Sequence, residues 1–98
     1  MYLIGFVTYP PESGEEVVKR FKELGPAPDF ITVIGPLGRS SLDGNKSITI
    51  YQFDASKYAE ATEYIYRRHS SYRGIPGYRY SIEEWREAKD AIRTAGLD

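Results

Sequence analysis

The sequence contains no cysteine, one histidine (His69), one methionine and one tryptophan (Trp85) in 98 residues. Without thiols it can build no disulfide framework, no thiolate metal site and no cysteine nucleophile. A single imidazole excludes any centre that takes two from one chain, so no metal site is expected. No apolar run approaches the roughly 20 residues of a membrane-spanning helix, and no cationic stretch precedes an apolar signal core. The expectation is a cytoplasmic protein with no membrane partner. Charge of one sign is also missing. Thirteen Lys and Arg face fourteen Asp and Glu, five against six in residues 1–49 and eight against eight in residues 50–98. A domain-wide basic footprint for nucleic acid or anionic lipid is therefore absent. The length suits one domain, residues 1–98, and is too short for a doubly wound dinucleotide fold or a barrel enzyme. No motif implies a redox or other cofactor, and none is expected. What the sequence does have is aromatic residues: nine Tyr and four Phe beside the one Trp.

Met1–Tyr9 alternates Tyr2, Ile4, Phe6 and Thr8 with Leu3, Gly5, Val7 and Tyr9, apolar on both faces, as in a strand covered on both sides. Pro10-Pro11 ends it. Ser13 and Glu16 have capping-box spacing and introduce a helix with Val17, Val18, Phe21 and Leu24 on one stripe, stopped by Gly25 and Pro26. Phe30–Leu37 reads as a second strand with a bend or frayed end at Gly35-Pro36-Leu37-Gly38. Turn residues to Asn45 then lead into a third strand, Lys46–Phe53. Asp54 or Ser56 caps a second helix to about Tyr72, its inward sector made by Tyr58, Ala61, Thr62, Ile65, His69 and Tyr72. Tyr78–Ser81 is a short fourth strand. Ser81 and Glu84 form another capping box that predicts a helix from Ile82 to Ala95, with Trp85, Ala88, Ala91, Ile92 and Ala95 inward.

The order strand, helix, strand, strand, helix, strand, plus a C-terminal helix, is the ferredoxin-like βαββαβ plan of the α+β class. It has an antiparallel four-stranded sheet with both main helices on one face. The opposite face should be polar if it meets water, yet the first and third strands are apolar there. A second copy of the sheet is the expected cover, giving a homodimer joined through sheet faces; the alternative is that the last helix folds back over it. On the order of elements, the opening Tyr2-Leu3-Ile4-Gly5-Phe6-Val7 strand and the Lys46–Phe53 strand running into a helix, most of residues 1–82 resembles the dimeric α+β barrel superfamily, and within it short stand-alone families. That resemblance implies a homodimer with facing sheets and, in several members, small molecules bound between sheet and helices. The superfamily includes cofactor-independent monooxygenases, haem-degrading enzymes and sugar mutarotases, so it fixes no single chemistry.

Tyr64 to Tyr80 is the most unusual stretch. It holds Tyr64, Tyr66, Tyr72, Tyr78 and Tyr80 with Arg67, Arg68, Arg73, Arg79 and His69, and no acidic residue between Glu63 and Glu83. Guanidinium groups and phenol rings together suit an anion or a π-system. Ordinary roles compete: Tyr72 belongs to the inward stripe, Arg67 can pair with Glu63 one turn back, and Arg68 and Arg73 suit a helix C-terminus. His69 is the natural general base if chemistry occurs, or else a hydrogen-bonded core imidazole. The candidate ligand contacts are Tyr66, His69, Tyr72, Arg73, Tyr78 and Tyr80, with Phe6, Tyr51 and Phe53 as possible floor. The leading reading is a homodimer that binds a small aromatic or anionic molecule in a sheet-helix cleft, with enzymatic activity open. One alternative is a single-stranded RNA-binding module stacking bases on Tyr51 and Phe53, against which the acidic pI argues. The other is a pure assembly domain.

Overall fold

The computed structural model describes residues 1–97. Along the chain lie β1 (Tyr2–Tyr9), α1 (Gly14–Lys22), β2 (Thr32–Ser41), β3 (Gly44–Gln52), α2 (Tyr58–Ser70), β4 (Arg79–Trp85) and α3 (Ala88–Thr94). Single 3-10 turns at Pro11–Ser13 and Ala55–Lys57 lead into α1 and α2. The strands form one open sheet in the order β2-β3-β1-β4, every neighbouring pair antiparallel. The α1 connection passes from β1 to β2 across β3, and the α2 connection from β3 to β4 across β1. This α+β arrangement is compatible with a ferredoxin-like fold. β1, apolar on both faces, occupies an interior position of the sheet as its pattern requires.

Register assigns the two faces, because directly paired residues share a side. Leu3 pairs with Tyr51 and Glu84, Gly5 with Thr49 and Ile82, Val7 with Ser47 and Tyr80. That face meets α2, and Leu3, Ile31, Tyr51, Phe53, Ala61 and Ile65 form the core against it. The opposite face carries Ile4 beside Ile50, Phe6 beside Ile48, Ile34 and Leu37 from β2, and Trp85 beside Tyr2. It is uncovered by the described residues: Ile34 is 45% exposed, Leu37 56% and Trp85 49%. α3 does not fold back over it, since none of its residues is buried. The radius of gyration, 15.1 Å, exceeds the about 12.6 Å expected for a compact chain of this length.

Three local readings are corrected. Of the bend or frayed end expected at Gly35-Pro36, β2 has a local irregularity, and it runs on past Leu37, where the strand was expected to end. An irregularity between Ile34 and Leu37 takes three steps on β2 against two on β3, so Leu37 keeps the face of Ile34 and pairing continues to Ser41. Gly35-Pro36 is a cis peptide bond. Ser13 makes no capping bond to α1. Its hydroxyl donates instead to the Pro76 carbonyl at 2.6 Å, tying the start of α1 to the loop before β4. Ile82–Trp85 is strand rather than the first turn of a helix. β1 offers ladder partners as far as Tyr2, and the pairing of Ile82, Glu83, Glu84 and Trp85 with Gly5, Ile4, Leu3 and Tyr2 outweighs a local capping pattern. The C-terminal helix is confined to Ala88–Thr94. Ala88, Ala91, Ile92 and Ala95 are exposed rather than inward, because nothing packs on them.

Candidate functional site

α2 presses Ala61, Ile65 and His69, spaced four residues apart, onto the sheet. His69 is 4% exposed. Beneath it lies Gly5. A Cβ on Gly5 would stand 2.6 Å from His69 Nε2 and 2.8 Å from Cε1, so the ring rests on β1 only because that position has no side chain. His69 Nε2 is 2.9 Å from the Tyr51 hydroxyl, and the two rings meet edge to face at 6.0 Å. The Tyr80 ring stacks on the imidazole at 5.4 Å. Burial first, and the Arg68 charge second, push the His69 pKa down to about 4, so the imidazole is neutral at neutral pH. Burial raises the Tyr51 hydroxyl to about 12, against a smaller lowering by Arg68. His69 Nδ1 is buried with no hydrogen-bond partner among the described residues.

His69 lines a cavity of about 200 Å³ between α1, α2 and the sheet. Val7, Val17, Val18 and Phe21 supply apolar wall, Tyr9, Tyr72 and Tyr78 supply rings, and Ser47, Thr49 and Arg68 supply polar groups. The cavity exists because α1 is tethered more than packed: none of its residues is buried. Arg20 donates from Nε to Glu16 at 2.8 Å and from Nη1 to the carbonyls of Ser71 at 2.8 Å and Arg73 at 3.2 Å. Together with the Ser13–Pro76 bond, this holds α1 to the C-terminal end of α2 and leaves Val17, Val18 and Phe21 facing the cavity. Arg68 is half-buried, its guanidinium 5.5 Å over the Tyr51 ring. It pairs with no carboxylate among the described residues.

A second cavity of about 240 Å³ adjoins the first and shares His69, Tyr72 and Tyr78 with it, adding Arg73 and Tyr80. Tyr72 and Tyr78 stack at 4.9 Å with their planes 8° apart. Burial raises the pKa of both hydroxyls, and in Tyr78 the neighbouring Tyr72 raises it further.

Of the residues singled out in the sequence, His69, Tyr72, Tyr78, Arg73 and Tyr80 come together around these two cavities. Tyr66 does not. It is 47% exposed and lines neither. Phe6 lies on the other sheet face beside Ile48, and Phe53 belongs to the core. Tyr51 is fully buried beneath α2 and meets the site through its hydroxyl. Burial of Tyr51 and Phe53 also removes the two rings on which base stacking was to rest. Arg67 pairs with Glu63 on the surface. The sequence reading missed Arg68 as a lining group, and it placed Val17, Val18 and Phe21 on a helix stripe without linking them to the site. The signal available was the small residues Gly5, Ser47 and Thr49 on the helix-facing side of the sheet, where a filled core would carry larger ones. No group of three or more His, Asp or Glu that could hold a metal occurs among the described residues, and no helix among them is long and apolar enough to cross a membrane. The chain matches no protein-family model and no curated protein sequence.

Proposed function

We propose that the protein is a small-molecule-binding homodimer of ferredoxin-like fold. Its ligand, aromatic or anionic, enters the cleft between α1, α2 and the sheet. The observation that carries this reading is the largely apolar cavity itself, open between α1, α2 and the sheet and lined by Arg68 and by the buried His69. The surroundings support the reading: ring faces from Tyr72 and Tyr78, a cation from Arg68, and an apolar wall from α1. The cavity exceeds the about 150 Å³ that accommodates benzene, so a single ring with one polar substituent fits.

Assembly follows from the other sheet face. Ile4, Phe6, Ile34, Leu37, Ile48 and Ile50 form an apolar band there, and a two-fold pairing of sheets, as in a dimeric α+β barrel, covers it with an identical surface. The test of the binding reading is a fragment screen read on the chain's one imidazole. Aromatic and anionic fragments are expected to shift the His69 ¹⁵N signals, and Phe21→Asp is expected to abolish those shifts while leaving the circular dichroism spectrum unchanged. A screen in which no fragment perturbs His69 overturns it.

A further inference from the structure

α3 is a helix that its own protomer leaves unpacked. Its seven residues are too few to persist on local bonds in water, where about 12–15 are needed and packing of an apolar face supplies most of the stability. Its end is nevertheless well formed. Gly96, with φ at 73°, lets the amides of Gly96 and Leu97 donate to the carbonyls of Arg93 and Ile92, each at 3.0 Å, a closure that brings Leu97 to the turn of Ile92. Yet Ile92 is 44% exposed and Leu97 78%, and no residue of α3 is buried. The helix stands off the end of the sheet. The molecule measures 48 Å along its longest axis, whereas the ten residues of β2, the longest strand, span only about 33 Å. Arg86 and Glu87 alone separate α3 from Trp85, itself half exposed on the open sheet face. Apolar side chains held out in this way are laid out for contact with another molecule.

Resting on the homodimer reading above, we infer that α3 is a clasp: each protomer packs Ile92 and Leu97 against the basic end of its partner's open sheet, beside the partner's Thr8 and the partner's Arg79. Area calls for such a contact. The two sheet faces alone offer about 900 Å² in total, short of the about 1,200 Å² at which stable pairs begin. A helix about 10 Å wide and, with its closing turn, about 15 Å long covers about 150 Å² on each surface it joins, and two such helices lift the total to about 1,500 Å². Charge selects the end. Arg39, Lys46 and Arg79 stand together on the open face at the end remote from α3, so like ends together would crowd these cations. With opposite ends together the two-fold axis runs across the strands and β4 lies over β4. The partner's Arg79 then comes over the Trp85 ring and beside the Glu87 carboxylate, and α3, which follows them, is carried to the start of the partner's β4.

A chain without cysteine makes the test direct. The full chain carrying Ala91→Cys is labelled with a nitroxide and mixed with ¹⁵N-labelled native chain, so that line broadening reports only contact between protomers. The amides of Thr8, Arg79 and Tyr80 are expected to broaden. Broadening confined to residues 88–97, or absent from Thr8 and Arg79 while light scattering shows a dimer, overturns the clasp and leaves the sheet-joined dimer standing. Ile92→Lys, at an exposed position, should raise the dimer dissociation constant at least about tenfold, the effect of losing one well-packed interface side chain. The same substitution should leave the melting temperature of a monomeric Phe6→Glu chain unchanged. An Ile92→Lys chain that pairs as tightly as the native one, or that melts lower in the Phe6→Glu background, overturns the clasp as well. If the native chain is a monomer throughout the micromolar range, the homodimer reading fails and this inference fails with it.

Discussion

His69 and Gly5 form one structural unit made from residues 64 positions apart. The imidazole is buried neutral, and its pKa of about 4 lies below the ordinary 6.5 because burial, then the Arg68 charge, disfavours the protonated form. The other groups around it are the phenols of Tyr51, Tyr72, Tyr78 and Tyr80. The unfolded chain therefore takes up a proton on His69 near pH 6.5 that the folded chain refuses until about pH 4. Folding stability from this residue is complete above about pH 6.5, falls as pH drops towards 4, and is level below that. The loss across the window is of the order of 3 kcal/mol at 1.36 kcal/mol per pKa unit. Urea denaturation at pH 7 and pH 4.5 should show the fall in the native protein and a smaller one in His69→Gln; equal slopes in the two proteins would contradict the assignment. Gly5→Ala drives a methyl group into the same ring, at 2.6 Å from Nε2. It should destabilise the fold by about 1–3 kcal/mol, the usual cost of overpacking, although alanine elsewhere in a strand is at least as favourable as glycine. A thermal melt measures this, and the Gly5→Ala, His69→Ala double variant should recover part of the loss.

At the scale of elements, α1 depends on polar ties. Arg20→Ala removes the hydrogen bonds to the Ser71 and Arg73 carbonyls, and Ser13→Ala removes the bond to Pro76. Each should cost about 1 kcal/mol, and the amides of Val17, Val18 and Phe21 should exchange faster while those of Leu3, Tyr51 and Ile65 keep their protection. Uniform loss of protection across the sheet would show that α1 is integral to the core. These ties were illegible in the sequence, where Ser13 and Glu16 have the spacing of a cap and Arg20 that of an ordinary i,i+4 pair. Strands β1 and β3 were legible because alternation and turn chemistry agreed. β4 was read too short because Ser81 and Glu84 imitate a helix start, and only the long ladder of β1 makes Ile82–Trp85 extended. His69 was legible as an inward residue from its spacing to Ile65 and Tyr72. Arg68 was not, since a residue beside the inward stripe can point to water or to a neighbouring helix, and only the stand-off of α1 decides between them.

At the scale of the whole molecule, one sheet face is built for burial and remains uncovered. Four of the six aliphatic and aromatic side chains of its central band are already partly buried, and Ile34 and Leu37 are about half exposed, so each would gain only a fraction of the about 1.5–3 kcal/mol that burying a fully exposed side chain gives. A flat patch of four strands, about 4.8 Å apart and about seven residues long, offers only some 450 Å² per protomer. Doubled, that falls below the usual range for stable pairs, which begins near 1,200 Å² in total. Side-chain relief adds to it, and so does the projecting α3, which leaves Ile92 and Leu97 in water. Basic residues mark one end of the face, where Thr8 pairs with Lys46 and Arg79 and Arg39 lies beside Lys46. Tyr2 and Trp85 mark the other end. Sheets stacked with like ends together would crowd six cations. Stacked with opposite ends together, they set those cations over rings, which is favourable. Phe6→Glu, at the centre of the band, should therefore convert a dimer near 22 kDa (twice 11.2 kDa) into a monomer and lower the melting temperature. Thr8→Glu at the basic end should leave the dimer intact, because its charge falls among Lys46 and Arg79. Light scattering decides the matter at micromolar concentration: a native chain that runs as an 11.2 kDa monomer, or a Phe6→Glu variant that stays paired, rules out joining through this face.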